Sequence, residues 1–192
     1  MFRNVSQRRT LTPGYAVVYP NREKATNRTT KAIVVLIMLV SVALMLIVTI
    51  GGWSKLQGMK PVNFLWCLSY LIMAFYIGAR WSRGLLPITA ALAILLLIMV
   101  VIAGTGAAGT SWFDRSNPGF AGAQSLFGGS GLSPDTLGFF TILIAPMQIL
   151  LIMFAMIGFS QSWNVEVEVP IEEARRRGYA TSGTPPAEPA AA

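Results

Sequence analysis

Side chains able to do chemistry are scarce in this 192-residue chain, and none of them is a histidine. Without imidazole there is no His-ligated haem, no two-His zinc site and no Ser-His or Cys-His nucleophile pair. Cys67 is the one cysteine. It has no adjacent base or resolving thiol in the sequence, so it reads as a small packing residue, and a disulfide framework is excluded with it. Asp114 and Asp135 lie on the same long connection, 21 positions apart, which is thin support for a hydrolase. Gly104-Thr-Gly-Ala-Ala-Gly loosely matches a dinucleotide-binding glycine pattern, but it closes an apolar run instead of following a strand. Gly128-Gly-Ser-Gly lacks the lysine of a phosphate loop. No enzyme activity, cofactor or metal is expected.

The polar residues that remain sit inside long apolar runs. Gln148 follows Pro146 by two positions near the middle of the last run. Pro146 removes a backbone donor and obstructs the carbonyl of Ile142, which a polar side chain or water must then satisfy. Two readings stand: a structural kink, or a midplane polar site for an ion, a lipid group or a partner helix. Small and weakly polar residues mark where helices touch in lipid. Asn63, Cys67, Ala74 and Gly78 fall on one helical face of the second run, and Thr141, Ala145, Gln148 and Ala155 on one face of the fourth. The expectation is that these two faces meet. None of the four runs contains Asp, Glu, Lys or Arg, which disfavours a proton pump or a voltage sensor.

These residues are carried on helices. The chain is 54% hydrophobic and 12% charged, whereas a soluble domain carries about 25% charged residues. Four segments, about 32–53, 62–79, 85–108 and 137–159, each supply the roughly 20 apolar residues needed to cross a bilayer. None alternates as a barrel strand does. The reading is an all-α integral membrane protein, a four-helix up-and-down transmembrane bundle. It has a long extracytoplasmic loop and flexible cytoplasmic termini: a basic leader over 1–31 and a tail over 160–192, disordered beyond about 179.

Orientation follows from the basic residues. Twelve of the fifteen lie in the leader, the turn between the second and third spans, and the tail. Lys and Arg are retained in the cytoplasm during insertion, so both ends are expected there. Trp53, Trp81, Trp112 and Trp163 fall at span ends, the depth that amphipathic rings favour. The polar leader is too long for a cleavable signal peptide.

The flanks and the long loop carry secondary signals. Tyr15 to Tyr19 is a short apolar patch, and Asn164 to Pro170 alternates apolar and charged residues, the period of a half-buried strand. The two could pair, but extended, fraying flanks are the expectation. Ile171 to Gly178 reads as one or two helical turns with Glu172 and Glu173 at the start and Arg175 to Arg177 at the end. The loop from Gly109 to Thr136 holds Trp112, Phe113, Phe120, Leu126 and Phe127 among many glycines. It is read either as a cap over the helix ends or as a docking surface for a partner. Ser133-Pro-Asp-Thr has the form of an N-cap with proline at the first helical position.

The expected function is non-catalytic: an accessory, assembly or scaffold subunit of a larger membrane complex. The alternative is a homo-oligomeric pore lined by Gln148, Thr141 and Asn63. A lipid-modifying enzyme is a third, weaker reading. The expected partners are the lipid bilayer and either another membrane protein or a second copy, with no nucleic acid. The expected location is a bacterial plasma membrane.

Overall fold

The computed structural model describes residues 14–105 and 124–179, apart from the side chains of Gln57 and Thr105. The fold is mostly helical. A strand β1 (Tyr15–Val18) and a single turn α1 (Pro20–Glu23) lead into the long helix α2 (Ala25–Gly51). A 3-10 turn at Gln57–Met59 precedes α3 (Lys60–Arg80), followed by α4 (Leu85–Thr105) and α5 (Pro134–Ser160). The chain closes with β2 (Val167–Pro170) and α6 (Ile171–Arg176). Helices α2 to α5 are each long and apolar enough to cross a membrane, which makes this a multi-pass membrane protein.

Local chemistry accounts for the helix ends. Ser133 accepts a hydrogen bond from the Thr136 backbone N–H at 3.2 Å with Pro134 next in line, so one of the orphan donors of α5 is satisfied. Helix α2 begins at Ala25, about two turns ahead of the apolar run. Its polar first turns are tied inward: Asn27 donates to the Asn21 carbonyl at 2.6 Å and Thr30 to the Thr26 carbonyl at 2.9 Å. Trp81 ends α3 in the left-handed conformation at φ 54°.

Helices α2 and α3 run in opposite directions. Thr49, late in α2, meets Asn63, early in α3, while Lys31 and Gly78 meet at the other end. The most extensive contact is between α4 and α5, then α2 with α5 and α2 with α3, while α3 and α4 touch only slightly. The helices therefore form a square that is loose along one side, with α3 diagonal to α5. The tight α4–α5 side depends on Gly104. A methyl there would stand 3.1 Å from the Ile142 backbone nitrogen and 3.4 Å from the Gly138 carbonyl oxygen, closer than packed helices tolerate without shifting. Gly104 thus has a packing role in the bundle.

The flanks depart from expectation. β1 and β2 pair antiparallel, from Tyr15 opposite Pro170 to Val18 opposite Val167. Ala16 and Val18 turn inward, and Ala174 of α6 is equally buried. Tyr19 donates to Glu166 at 3.0 Å, Arg22 to Asn164 at 2.9 Å and Asn21 to the Ser162 carbonyl at 3.0 Å. The bond to Glu166 raises the pKa of the Tyr19 phenol above its ordinary value. The leader from residue 14 and the tail up to residue 179 thus form one folded cap, where extended, fraying flanks were the expectation; the rest of both flanks lies outside the described residues. Each strand alone has too few partners, and together they satisfy each other's backbone groups.

Candidate functional site

The bundle has a terminal end, where β1, β2 and α6 lie, and a loop end, where the two long connections lie. Between them, α2, α3 and α5 each send one polar side chain to the centre. The Tyr70 hydroxyl donates to Gln148 Oε1 at 2.7 Å, and Gln148 Nε2 donates to Ser41 Oγ at 2.9 Å. The Ser41 hydroxyl donates in turn to the Ile37 carbonyl at 2.9 Å. All three residues are fully buried. The chain of bonds satisfies polar groups that would each be costly if left unmade in an apolar interior.

The stripes expected to join the second and fourth spans share the common core and one cavity wall, while the main contacts of α3 are with α2 and those of α5 with α4 and α2. On α3, Asn63 donates to Thr49 Oγ1 at 3.0 Å and Gly78 accepts from Lys31 at 3.0 Å, so both ends of its stripe lie on α2. Cys67 and Ala74, between them, are buried in the common core. Ala145, Gln148 and Ala155 of α5 are buried in the interior too. Tyr70, fully buried, reaches from α3 to Gln148 of α5 by a hydrogen bond. Helix α5 continues through Pro146. Gln148 does not serve the Ile142 carbonyl freed by that proline. It turns instead to Tyr70 and Ser41, with only a long 3.5 Å approach to the Ile144 carbonyl.

Removing the Tyr70 hydroxyl tests this network. Tyr70→Phe leaves Gln148 Oε1 without its partner, and polar pairs between membrane helices contribute about 0.6–1.7 kcal/mol. The expected loss of stability is about 1 kcal/mol, read by reversible unfolding in mixed micelles. A variant as stable as the parent would remove the network from the account of the core.

At the terminal end, Trp163 is completely buried. Its position at a span end suits the headgroup level, as for Trp53 and Trp81; its ring stands edge-on to Trp81, with centroids 5.4 Å apart and planes at 89°. Its Nε1 donates to Gln161 at 2.9 Å, and Gln161 donates to Thr30 at 2.8 Å. Lys31 lies 3.7 Å from the Trp81 ring centroid. Trp53 is half-buried with Lys60 over its ring at 4.3 Å.

At the loop end, the second half of the long connection is fastened to α2. Leu126 N–H donates to the Ile50 carbonyl at 3.1 Å and Leu132 N–H to the Gly51 carbonyl at 2.9 Å. Gln124 N–H donates to Ser54 Oγ at 2.8 Å and pairs across the turn with Ser130. These bonds occupy carbonyls that the last turn of α2 leaves open. They hold up a turn on which Leu126 is exposed and Phe127 is 85% exposed. Of the aromatic loop residues, Trp112, Phe113 and Phe120 lie outside the described residues.

Asn63 and Thr141 sit together on the wall of an apolar cavity at this same end. The polar character of both was legible in the sequence, but their proximity was not, because it depends on which helices become neighbours. Compared with known proteins, the chain matches no family model, no curated protein and no solved structure.

Proposed function

We propose that this protein is a non-catalytic accessory, assembly or scaffold subunit of a larger membrane complex. We place it in a bacterial plasma membrane with both termini cytoplasmic and the long loop outside. The observation that carries this reading is the Leu126–Phe127 turn. An aromatic side chain exposed by 85% is costly to hold in water, and here the backbone beneath it is fastened at four points instead of being free to fold it away. A fixed, exposed aromatic ring is the usual form of an anchor that fills a partner's pocket.

The alternative, a homo-oligomeric pore along Gln148, Thr141 and Asn63, has less to rest on. Gln148 lies in the interior of one protomer with its amide engaged, so a path between copies would have to open that network.

The test is gentle extraction of the tagged protein from its native membrane and native mass spectrometry of what accompanies it. A stoichiometric second protein that Phe127→Asp releases at least tenfold, while Phe75→Ala on the exposed side of α3 retains it, is the expected result. A homo-oligomer alone, or a partner indifferent to Phe127→Asp, would overturn the reading.

A further inference from the structure

At the terminal end of the bundle lies a cleft of about 480 Å³. Distant parts of the chain build its wall: Tyr19 and Arg22 of the leader, Arg28 and Lys31 from the first turns of α2, Trp81 at the end of α3, and Tyr179 of the tail. The pairing of β1 with β2 brings leader and tail together here.

The charge on this wall is lopsided. Three cations stand on it with one carboxylate, Glu23. Glu23 is paired with Arg28, which leaves Arg22 and Lys31. Both have only neutral partners among the described residues. Arg22 donates to the Asn164 side chain at 2.9 Å and lies over the Tyr19 ring, 3.9 Å from its centroid. Lys31 donates to the Gly78 carbonyl at 3.0 Å and stands 3.7 Å from the Trp81 ring centroid. Gly78 belongs to the last turn of α3, whose negative pole amounts to about half an elementary charge, so it offsets Lys31 only in part. Glu166 accepts from the Tyr19 hydroxyl and is not on the wall. A guanidinium has five N–H donors and an ammonium three, so each cation keeps donors for a further partner.

Depth narrows the choice of that partner. Lys31 is the last charged residue before the apolar run of α2, and Trp81 closes α3. The cleft therefore lies where apolar spans give way to polar flanks, the level of lipid headgroups. Two cations facing one space repel each other, and an anion between them replaces that repulsion by two charge-assisted bonds. The volume of about 480 Å³ is many times the roughly 30 Å³ that a water molecule takes in the liquid, so a phosphate with an ester substituent has room.

We infer that this cleft binds a phosphate group, with Arg22 and Lys31 as its two charged contacts and Arg28 held beside them by Glu23. Two sources share that chemistry: the headgroup of an anionic phospholipid, and phosphate free in solution. The cleft and the Phe127 turn lie at opposite ends of the bundle, so neither reading rests on the other.

The experiment uses the full chain in detergent micelles with three probes: phosphatidylglycerol, phosphatidylcholine and inorganic phosphate. Native mass spectrometry counts what each chain retains. The expected result is saturation at one phosphatidylglycerol or one phosphate per chain, with phosphatidylcholine held far less. Arg22→Gln and Lys31→Gln should each weaken that retention about tenfold, the size of one hydrogen bond to a charged group. Lys24→Gln removes an exposed charge at the same end but off the wall, and should change retention by less than about twofold. Phosphatidylglycerol that excess inorganic phosphate does not displace identifies a lipid headgroup as the occupant, and displacement by bound phosphate identifies the free anion. Elution volume and far-UV signal of each variant confirm folding. In the parent protein the retained probe should also raise Tm, because it binds the folded chain, and phosphatidylcholine should not. That second measurement needs no variant. Retention of neither phosphatidylglycerol nor phosphate, equal retention of the two lipids, no rise in Tm, or equal losses in Lys24→Gln and Arg22→Gln in folded protein would overturn the proposal.

Discussion

Trp163→Ala is expected to destabilise the protein by about 3–5 kcal/mol, the range for truncating a buried Phe or Trp. For a chain of this size that corresponds to a fall in Tm of about 6–20 °C. The residue has no exposed surface. Its ring sits over Gly158, where even a methyl would come within 3.0 Å of it. It stacks edge-on against Trp81 and belongs to the main core, together with Leu86 and Ile77. Its Nε1 starts the relay through Gln161 to Thr30, which ties the segment after α5 to the first turns of α2. Alanine would leave a cavity and an unpaired Gln161 oxygen at the junction of bundle and terminal cap. Trp163→Phe retains the ring contact and loses the N–H, so its cost should be near 1 kcal/mol. Thermal unfolding in detergent measures both. A shift under about 2 °C for the alanine variant would mean that the bundle and the cap are held together elsewhere.

Gly131→Ala should release the aromatic turn from the loop end of the bundle. A Cβ at position 131 would lie 2.5 Å from the Gly51 carbonyl oxygen and 2.8 Å from the Gln124 carbonyl carbon. Both obstacles are backbone, so no side-chain rotation relieves the clash and the strand of loop has to move off α2. Movement breaks the Leu132 bond to Gly51 and strains the Gln124–Ser130 bridge. Cleavage of the loop by a non-specific protease should accelerate at least tenfold, while helices α2 to α5 retain their far-UV signal. If the accessory-subunit reading is right, partner retention should fall as far as it does in Phe127→Asp, although Phe127 itself is untouched. An unchanged cleavage rate would show that the loop has another stable seat. Fast cleavage with full partner retention would separate the turn's fixed position from any docking role.

The readable part of this fold is the part written in transfer free energy. Each of the four spans meets the length that a bilayer demands, and no neighbour is needed to recognise such a run. The Ser133 cap is similarly local, because donor and acceptor are three residues apart. The small-residue stripes on α3 and α5 were equally legible, but their destination was not. A small residue states that something approaches closely without naming what does, and in the structure α3 packs mainly on α2 while α5 packs on α4 and α2. Trp163 is a similar case. Indole suits both a headgroup interface and a packed core, and only the fold of the segment after α5 chose the core. The leader and tail strands were legible as segments that could pair, but they are separated by nearly the whole sequence, and only the fold shows that they do.

Thus apolar length and charge placement determined by themselves that the chain is a multi-pass membrane protein of four helices, since these are sums over consecutive residues. The tertiary structure decided which helices adjoin, that Gln148 is enclosed by Tyr70 and Ser41, that Phe127 is held outward, and that Asn63 and Thr141 share the wall of one cavity. The physical reason is that hydrocarbon solvates every apolar helix face about equally, so hydrophobicity does not choose among neighbours. Shape and a few hydrogen bonds make that choice, and they form only when distant parts of the chain come together.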